Sequence, residues 1–226
     1  MTKKFFAAFV VAALTLTACK KETTAVADNN TETEVEATVV EGTSFAVQPT
    51  ESTINWEGGK VSGDKHLGTI NVQEGNLVMN EGKFVGGTFV IDMNSIVVTD
   101  LADDPEMKER LEGHLKGLGD DAERQDHFFN VSNYPTATLE ITSVTEENGQ
   151  QMAEGNFTLK GKTNPVKFPV TVTETEDTVT LTANNFAINR TLWGVNYNSG
   201  SVVKDLAADK VIKDDILLNA TVVAKK

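Results

Sequence analysis

The chain predicts an all-β fold, an antiparallel barrel of about eight strands with one helix over an end or flank. Three observations carry that expectation. From residue 44 onward, apolar and polar residues alternate in run after run, which is the period of a strand with one buried face. Turns bearing Gly, Asn or Asp separate the runs at regular intervals. Only one stretch has long helical spacing. Closure into a barrel leaves no exposed edge and pairs the last strand with an early one, so it is preferred over a two-sheet sandwich, the second choice.

Before the domain, Lys3 and Lys4 precede an apolar run from Phe5 to Leu16 that is too short to span a bilayer and reads as a secretory signal. The run ends in Leu16-Thr17-Ala18-Cys19, which resembles the bacterial lipobox. Residues 1–18 are therefore expected to be cleaved and Cys19 to carry the lipid. Each inserted acyl methylene contributes about 0.8 kcal/mol, so two or three chains anchor a protein essentially permanently. Cys19 is the only cysteine, which rules out an intrachain disulfide. Residues 19–43 are rich in Thr, Glu and Ala and have no aromatic residue. They are expected to form a flexible acidic tether, with a short strand around Val39-Val40 as the alternative. The expected location is the bacterial cell envelope, lipid-anchored, with the domain (44–226) in the periplasm or at the cell surface. A formal charge of −13 argues against nucleic acid and suits anionic lipid headgroups poorly.

Taken in order, Phe45 and Val47 lead into a first strand with Ile54 and Trp56 on one face. Residues 66–79 read as two arms around Glu74-Gly75-Asn76, and Glu81-Gly82 as a turn. In 83–98, Phe89, Ile91 and Met93 share a face, and Gly86-Gly87 permits a bend or a close backbone approach. Asp103-Asp104-Pro105 is a helix start. Met107, Leu111, Leu115 and Leu118 continue on one face, and Gly117 and Gly119 end a helix of about Pro105 to Lys116. Phe128 and Phe129, outside any alternating run, must be buried by something else. Strands follow at Ala137-Leu139-Ile141 and at Ala153 to Leu159. The stretch Phe157 to Val172 is a hairpin, with its turn read at Gly161 to Pro165 and its inner face as Phe157, Leu159, Val166, Phe168 and Val170. Val179, Leu181 and Ala183 run one position out of phase with Phe186 and Ile188, which predicts a bulge at Asn184-Asn185. The final strand carries Ile216, Leu218, Ala220, Val222 and Ala224 on one face.

Five segments in this order resemble a known family. They are Phe45-Ala46-Val47-Gln48-Pro49 with Ser52 to Trp56; Asp126 to Val131 with Tyr134-Pro135-Thr136-Ala137; Gly155 to Thr163; Ile188-Asn189-Arg190 to Gly194; and Lys213-Asp214-Asp215-Ile216. Together they look like the YceI family of polyisoprenoid-binding, lipocalin-like proteins, over about Phe45 to Val223. His127 ahead of two Phe residues and an acidic helix upstream depart from the family's pattern. The resemblance implies an eight-stranded lipocalin-like barrel whose apolar cavity holds an isoprenoid or fatty-acyl chain. Residues implied to line it are Phe89, Ile91, Phe128, Phe129, Phe157, Leu159, Phe168, Val170, Phe186 and Trp193. Packing arguments alone would have such side chains fill a solid core, and the barrel would then be an interaction or structural module of the envelope.

Arg190 beside Trp193 is read either as a contact to a lipid headgroup or as an ion pair, with Asp126 or Asp215, next to a buried Trp. The second is the commoner use of arginine. His66, His114 and His127 are far apart in sequence and match no metal signature, so no metal is expected. No nucleophile-elbow, P-loop or dinucleotide motif occurs, so no catalytic residues and no cofactor are expected and the chain is read as a non-enzyme. The partners expected are a lipid and, through Cys19, a membrane; the oligomeric state is not legible in the sequence.

Overall fold

The alternating runs form nine antiparallel strands in the computed structural model, which describes residues 40–119 and 121–226. The expected signal segment, Cys19 and most of the expected tether lie outside those residues. β1 (Thr43–Val47) and β2 (Thr53–Gly59) are two halves of one stave. Both pair with β3 (Lys65–Asn80), β1 through residues 76–79 and β2 through residues 65–70, and both pair with β9 (Asp215–Lys225). A 3-10 turn at Pro49–Glu51 interrupts the stave, where proline has no N–H to give to a ladder. The gap is bridged by the Ser52 hydroxyl, which accepts the Val223 N–H at 3.1 Å.

β4 (Lys83–Val98), β5 (Thr136–Glu147), β6 (Gln150–Leu159), β7 (Lys162–Glu174) and β8 (Thr178–Asn189) complete the ring, and β9 closes it against β2. The sheet is thus a closed barrel of eight staves, as the alternation predicts. The helix α1 (Pro105–Lys116) also falls where its signals place it. The Asp104 carboxylate accepts the Met107 N–H at 3.0 Å, and Gly117 ends the helix at φ 71°. A short second helix, α2 (Ala122–Gln125), has no counterpart in the sequence reading. Among the described residues no helix is long and apolar enough to cross a membrane.

Two turns are not where the sequence suggests. Residues 66–79 are a single strand, not two arms, and the expected turn at Gly75 lies beside a bulge between Val72 and Glu74. A Cβ on Gly75 would stand 2.4 Å from the Thr88 carbonyl oxygen, so this glycine permits close approach of two strands and not reversal of one. The β6–β7 hairpin turns at Lys160-Gly161, not at Gly161 to Pro165, with Leu159 opposite Lys162. Lys160 and Gly161 have φ of 51° and 71°, the two positive values of the tight turn that matches strand twist. The bulge expected at Asn184-Asn185 is present, as a register slip between Ala183 and Phe186.

The ends of the barrel differ. At one end the connections are short, at residues 81–82, 148–149 and 175–177, and the interior is filled by Phe45, Leu77, Met79, Phe84, Val170 and Val179 with their neighbours. At the other end lie the long connections 60–64, 99–135 and 190–214, including α1. Between these ends β7 and β8 pair only over Thr171–Glu174 and Val179–Thr182. In a two-residue hairpin the N–H groups of 163, 165, 167 and 169 point away from β6, so Pro165 and Pro169 remove donors that would face β8. Phe168 and Phe186 stack across the unpaired stretch, centroids 4.7 Å apart.

Candidate functional site

Inward-facing residues of the staves enclose an apolar cavity of about 700 Å³ in the half of the barrel nearer α1. Protein interiors normally hold few voids larger than a water molecule, whereas ligand sites run from roughly 300 to 1,000 Å³. The cavity floor is set by Val72, Ile141, Phe168 and Leu181, below which the packed end begins. Its roof is the inner face of α1, Leu111, His114 and Leu115, with Phe128, Phe129 and Tyr197. No residue of α1 is fully buried, because that face looks onto open space and not onto a filled core. The exposed residues Asp64, Lys65 and Lys213 and the half-buried His66 also border the cavity, which therefore reaches solvent on that side.

Of the residues named from sequence, Phe89, Ile91, Phe128, Phe129, Phe157, Leu159, Phe168 and Phe186 border the cavity. Val170 and Trp193 do not. Val170 lies two residues deeper than Phe168 and packs with the filled end. Trp193 is turned into the wall, where its indole N–H donates to the Phe157 carbonyl at 2.9 Å and its ring meets Phe157 edge-on. Sequence reasoning passed over Trp56, His114 and Tyr197. Trp56 and His114 had signals: Trp56 alternates in phase with Ile54, and His114 is three residues from Leu111 on the helix. Tyr197 sits in an irregular segment and had none. Gly68 makes the Trp56 position: a Cβ there would lie 2.3 Å from the indole ring, so glycine lets the ring rest on the β3 backbone.

Arg190 borders the cavity yet is almost wholly buried, at 1% exposure. Its guanidinium donates to three carbonyls: Nε to Lys213 at 3.0 Å, Nη1 to Val195 at 2.6 Å and Nη2 to Ile212 at 3.2 Å. Its carboxylate neighbour is Asp214 at 3.8 Å, not Asp126 or Asp215. Asp126 is engaged by Lys160 at 2.9 Å, and Asp215 opens β9 on its exposed face. Burial lowers the Arg190 pKa, opposed by the charge of Asp214. Burial also works against the Asp214 carboxylate, but hydrogen bonds from Ser199 and Ser201 and the Arg190 charge outweigh it and hold that pKa below the usual range. The arginine thus staples the 190–214 connection to itself.

Folding brings two of the three histidines together at the roof. His114 Nε2 and His127 Nδ1 are 2.8 Å apart, and Tyr197 stacks on His127 with centroids at 4.1 Å. Burial, with His127 and Arg124 beside it, lowers the His114 pKa. Among the described residues no group of three His, Cys, Asp or Glu side chains is arranged to hold a metal ion.

Comparison with known proteins gives a consistent picture. Residues 45–224 match the YceI-like domain family. No curated protein matches the chain. Similar solved structures include BcnA of Burkholderia cenocepacia, with TM-score 0.56 and 21% identity over 79% of this chain and 99% of that one. Another is a polyisoprenoid-binding domain from Saccharophagus degradans implicated in plant cell wall breakdown, with TM-score 0.54 and 14% identity over 80% of this chain and 97% of that one. At these identities the likeness is one of fold.

Proposed function

This chain belongs to the YceI-like domain family, and we propose that its barrel is a binding protein, not an enzyme, that holds an isoprenoid or related acyl chain. One observation carries the reading: an apolar cavity of about 700 Å³ inside a closed barrel whose other half is packed solid. Each methylene moved from water to such a wall favours binding by about 0.8 kcal/mol, so a long chain binds tightly without a specific polar contact. The hollow interior also weighs against the barrel acting only as a solid interaction module. Arg190 is a structural staple in this reading, because its donors are already taken by carbonyls.

The N-terminal pattern supports acylation at Cys19 and a tether that keeps the barrel at a membrane of the bacterial envelope, in the periplasm or at the cell surface. Native mass spectrometry of protein purified without detergent tests the cavity. The expected result is a co-purified lipid, or uptake of added isoprenoid lipid at one per barrel. Protein that is consistently ligand-free and ignores added isoprenoids sinks the proposal.

A further inference from the structure

Among the described residues, the large hydrophobic side chains left exposed are not scattered. Val61, Leu67, Val97, Met107, Leu118, Leu192, Val202, Val203 and Leu217 all lie at the end of the barrel where the cavity opens. The packed end has none. Scattered single apolar residues need no explanation, but a set confined to one end does.

Within that end, residues 58–66 and 199–213 are joined into one platform. Val61 N–H donates to the Val211 carbonyl at 3.0 Å, Lys213 N–H to the Gly59 carbonyl at 2.8 Å, and Lys60 bridges to Ile212. Val61, Val202 and Val203 stand on this platform at 54%, 48% and 38% exposure. The same two segments carry five lysines against Asp64, Asp205 and Asp209, in a chain of net charge −13. Lys60 pairs with Asp64 at 3.5 Å and Lys65 with Glu57 at 3.1 Å, so Lys204, Lys210 and Lys213 carry the positive character of the platform. The α1 side of the opening is instead acidic: residues 99–119 hold Asp100, Asp103, Asp104, Glu106, Glu109 and Glu112 against Lys108, Arg110 and Lys116. Gly58, Gly59, Lys60, Asp64, Lys65, Ile212 and Lys213 border the cavity itself, so platform and opening are continuous.

We propose that this apolar, lysine-bearing platform docks on a lipid bilayer with anionic headgroups, so that the cavity opens against the membrane. The chemistry favours that occupant. Valines on loop tips enter the interfacial region, and lysines beside them keep their ammonium groups at headgroup level while their stems cover apolar surface. Lysines near such a surface are attracted to its anionic headgroups, and the acidic α1 side is repelled, which tilts the opening toward the bilayer. Overall charge conceals this, because attraction falls off within a Debye length of roughly 8 Å and only the local patch counts. The purpose of docking rests on the lipid-binding reading: a long apolar chain passes from bilayer to cavity without crossing water.

The test uses the full chain with Cys19→Ser, so that no acyl group attaches, and an environment-sensitive fluorophore on a single new cysteine. One label replaces Val202 on the platform; the other replaces Asn148, in a hairpin turn at the packed end. Vesicles are equal parts phosphatidylglycerol and phosphatidylcholine. The expected result is a blue shift and quenching by bilayer-embedded quenchers at position 202 and not at 148. Two companion variants, Val61→Asp with Val203→Asp, and Lys204→Glu with Lys210→Glu, are expected to weaken vesicle binding by about ten-fold or more. No shift at 202, equal shifts at both positions, or a shift at 202 that grows with protein concentration without vesicles overturns the proposal, the last because a second copy then covers the platform. Native mass spectrometry on the same samples separates the two readings. A shift at 202 in protein that never carries lipid upholds docking and removes the cavity reading; lipid in the cavity with no shift at 202 overturns docking alone.

Discussion

Arg190 shows how a residue's chemistry and its role diverge. An arginine next to a cavity suggests a headgroup contact, but three backbone carbonyls and Asp214 take up its guanidinium. Removing it leaves those carbonyls unpaired and Asp214 uncompensated. Arg190→Met is expected to destabilise the domain by about 3–5 kcal/mol, measured by urea unfolding. Lysine at 190 should recover only part, since one ammonium cannot fan out to three acceptors. His114 supplies a pH dependence. Its folded-state pKa is depressed below 6.5 by burial first and by His127 and Arg124 next. Above pH 6.5 the ring is mostly neutral whether folded or not. As pH falls below that value the unfolded chain takes up the proton first, so stability is lost until the folded pKa is passed. His114→Gln is expected to flatten the stability curve below pH 6.5; an unchanged slope would remove His114 as its source.

At the scale of elements, α1 is a roof held at few points. Glu112 accepts the Val98 N–H at the end of β4 at 2.8 Å and pairs with Lys108. The Leu115 and Lys116 carbonyls accept the N–H groups of Phe129 and Val131. Little apolar area is buried beneath the helix, so these polar ties fix it. Glu112→Ala is expected to cost about 1–2 kcal/mol and to speed amide exchange at Val98 while exchange in β5 and β6 stays slow. Loss of protection throughout the barrel would mean that α1 is part of the folding core and not a separable roof. β7 behaves differently along its length for a comparably local reason: the half that carries Pro165 and Pro169 lacks donors toward β8, and the half beyond Val170 pairs normally.

For the whole molecule, the decisive feature is that one half of the barrel is filled and the other is hollow. Ala220, on β9, borders the hollow half. Ala220→Phe places a ring in that space from the boundary where Ala220 meets the packed cluster. The domain is expected to melt at or above the wild-type temperature, gaining up to about 1 kcal/mol, while losing most of its bound lipid in native mass spectra. Lipid retained at the wild-type level would place the ligand elsewhere. A substitution that fills a cavity separates binding from folding in a way that Phe157→Asp, which buries a charge, does not.

Alternation and helix signals by themselves determined the antiparallel all-β class, most of the staves, the extent of α1 and the β8 bulge, because side-chain period is a local property of the chain. They also put Phe89, Ile91, Phe157, Leu159, Phe168 and Phe186 on the inner face. What they did not determine is where reversal happens when glycine has two uses: Gly75 looks like a turn and serves a bulge, and the hairpin turns at Lys160-Gly161 because register across β6 and β7 decides it. Nor could alternation distinguish a filled core from a cavity, since Val170 and Phe168 carry the same pattern and differ only in depth along the barrel. Only the tertiary structure separated those two residues, gave Arg190 its carbonyl partners, brought His114 to His127 across 13 positions of sequence, and gathered the exposed valines and lysines of two distant loops at one end. Each of these depends on contacts between segments far apart in the chain, which the period of any one segment does not encode.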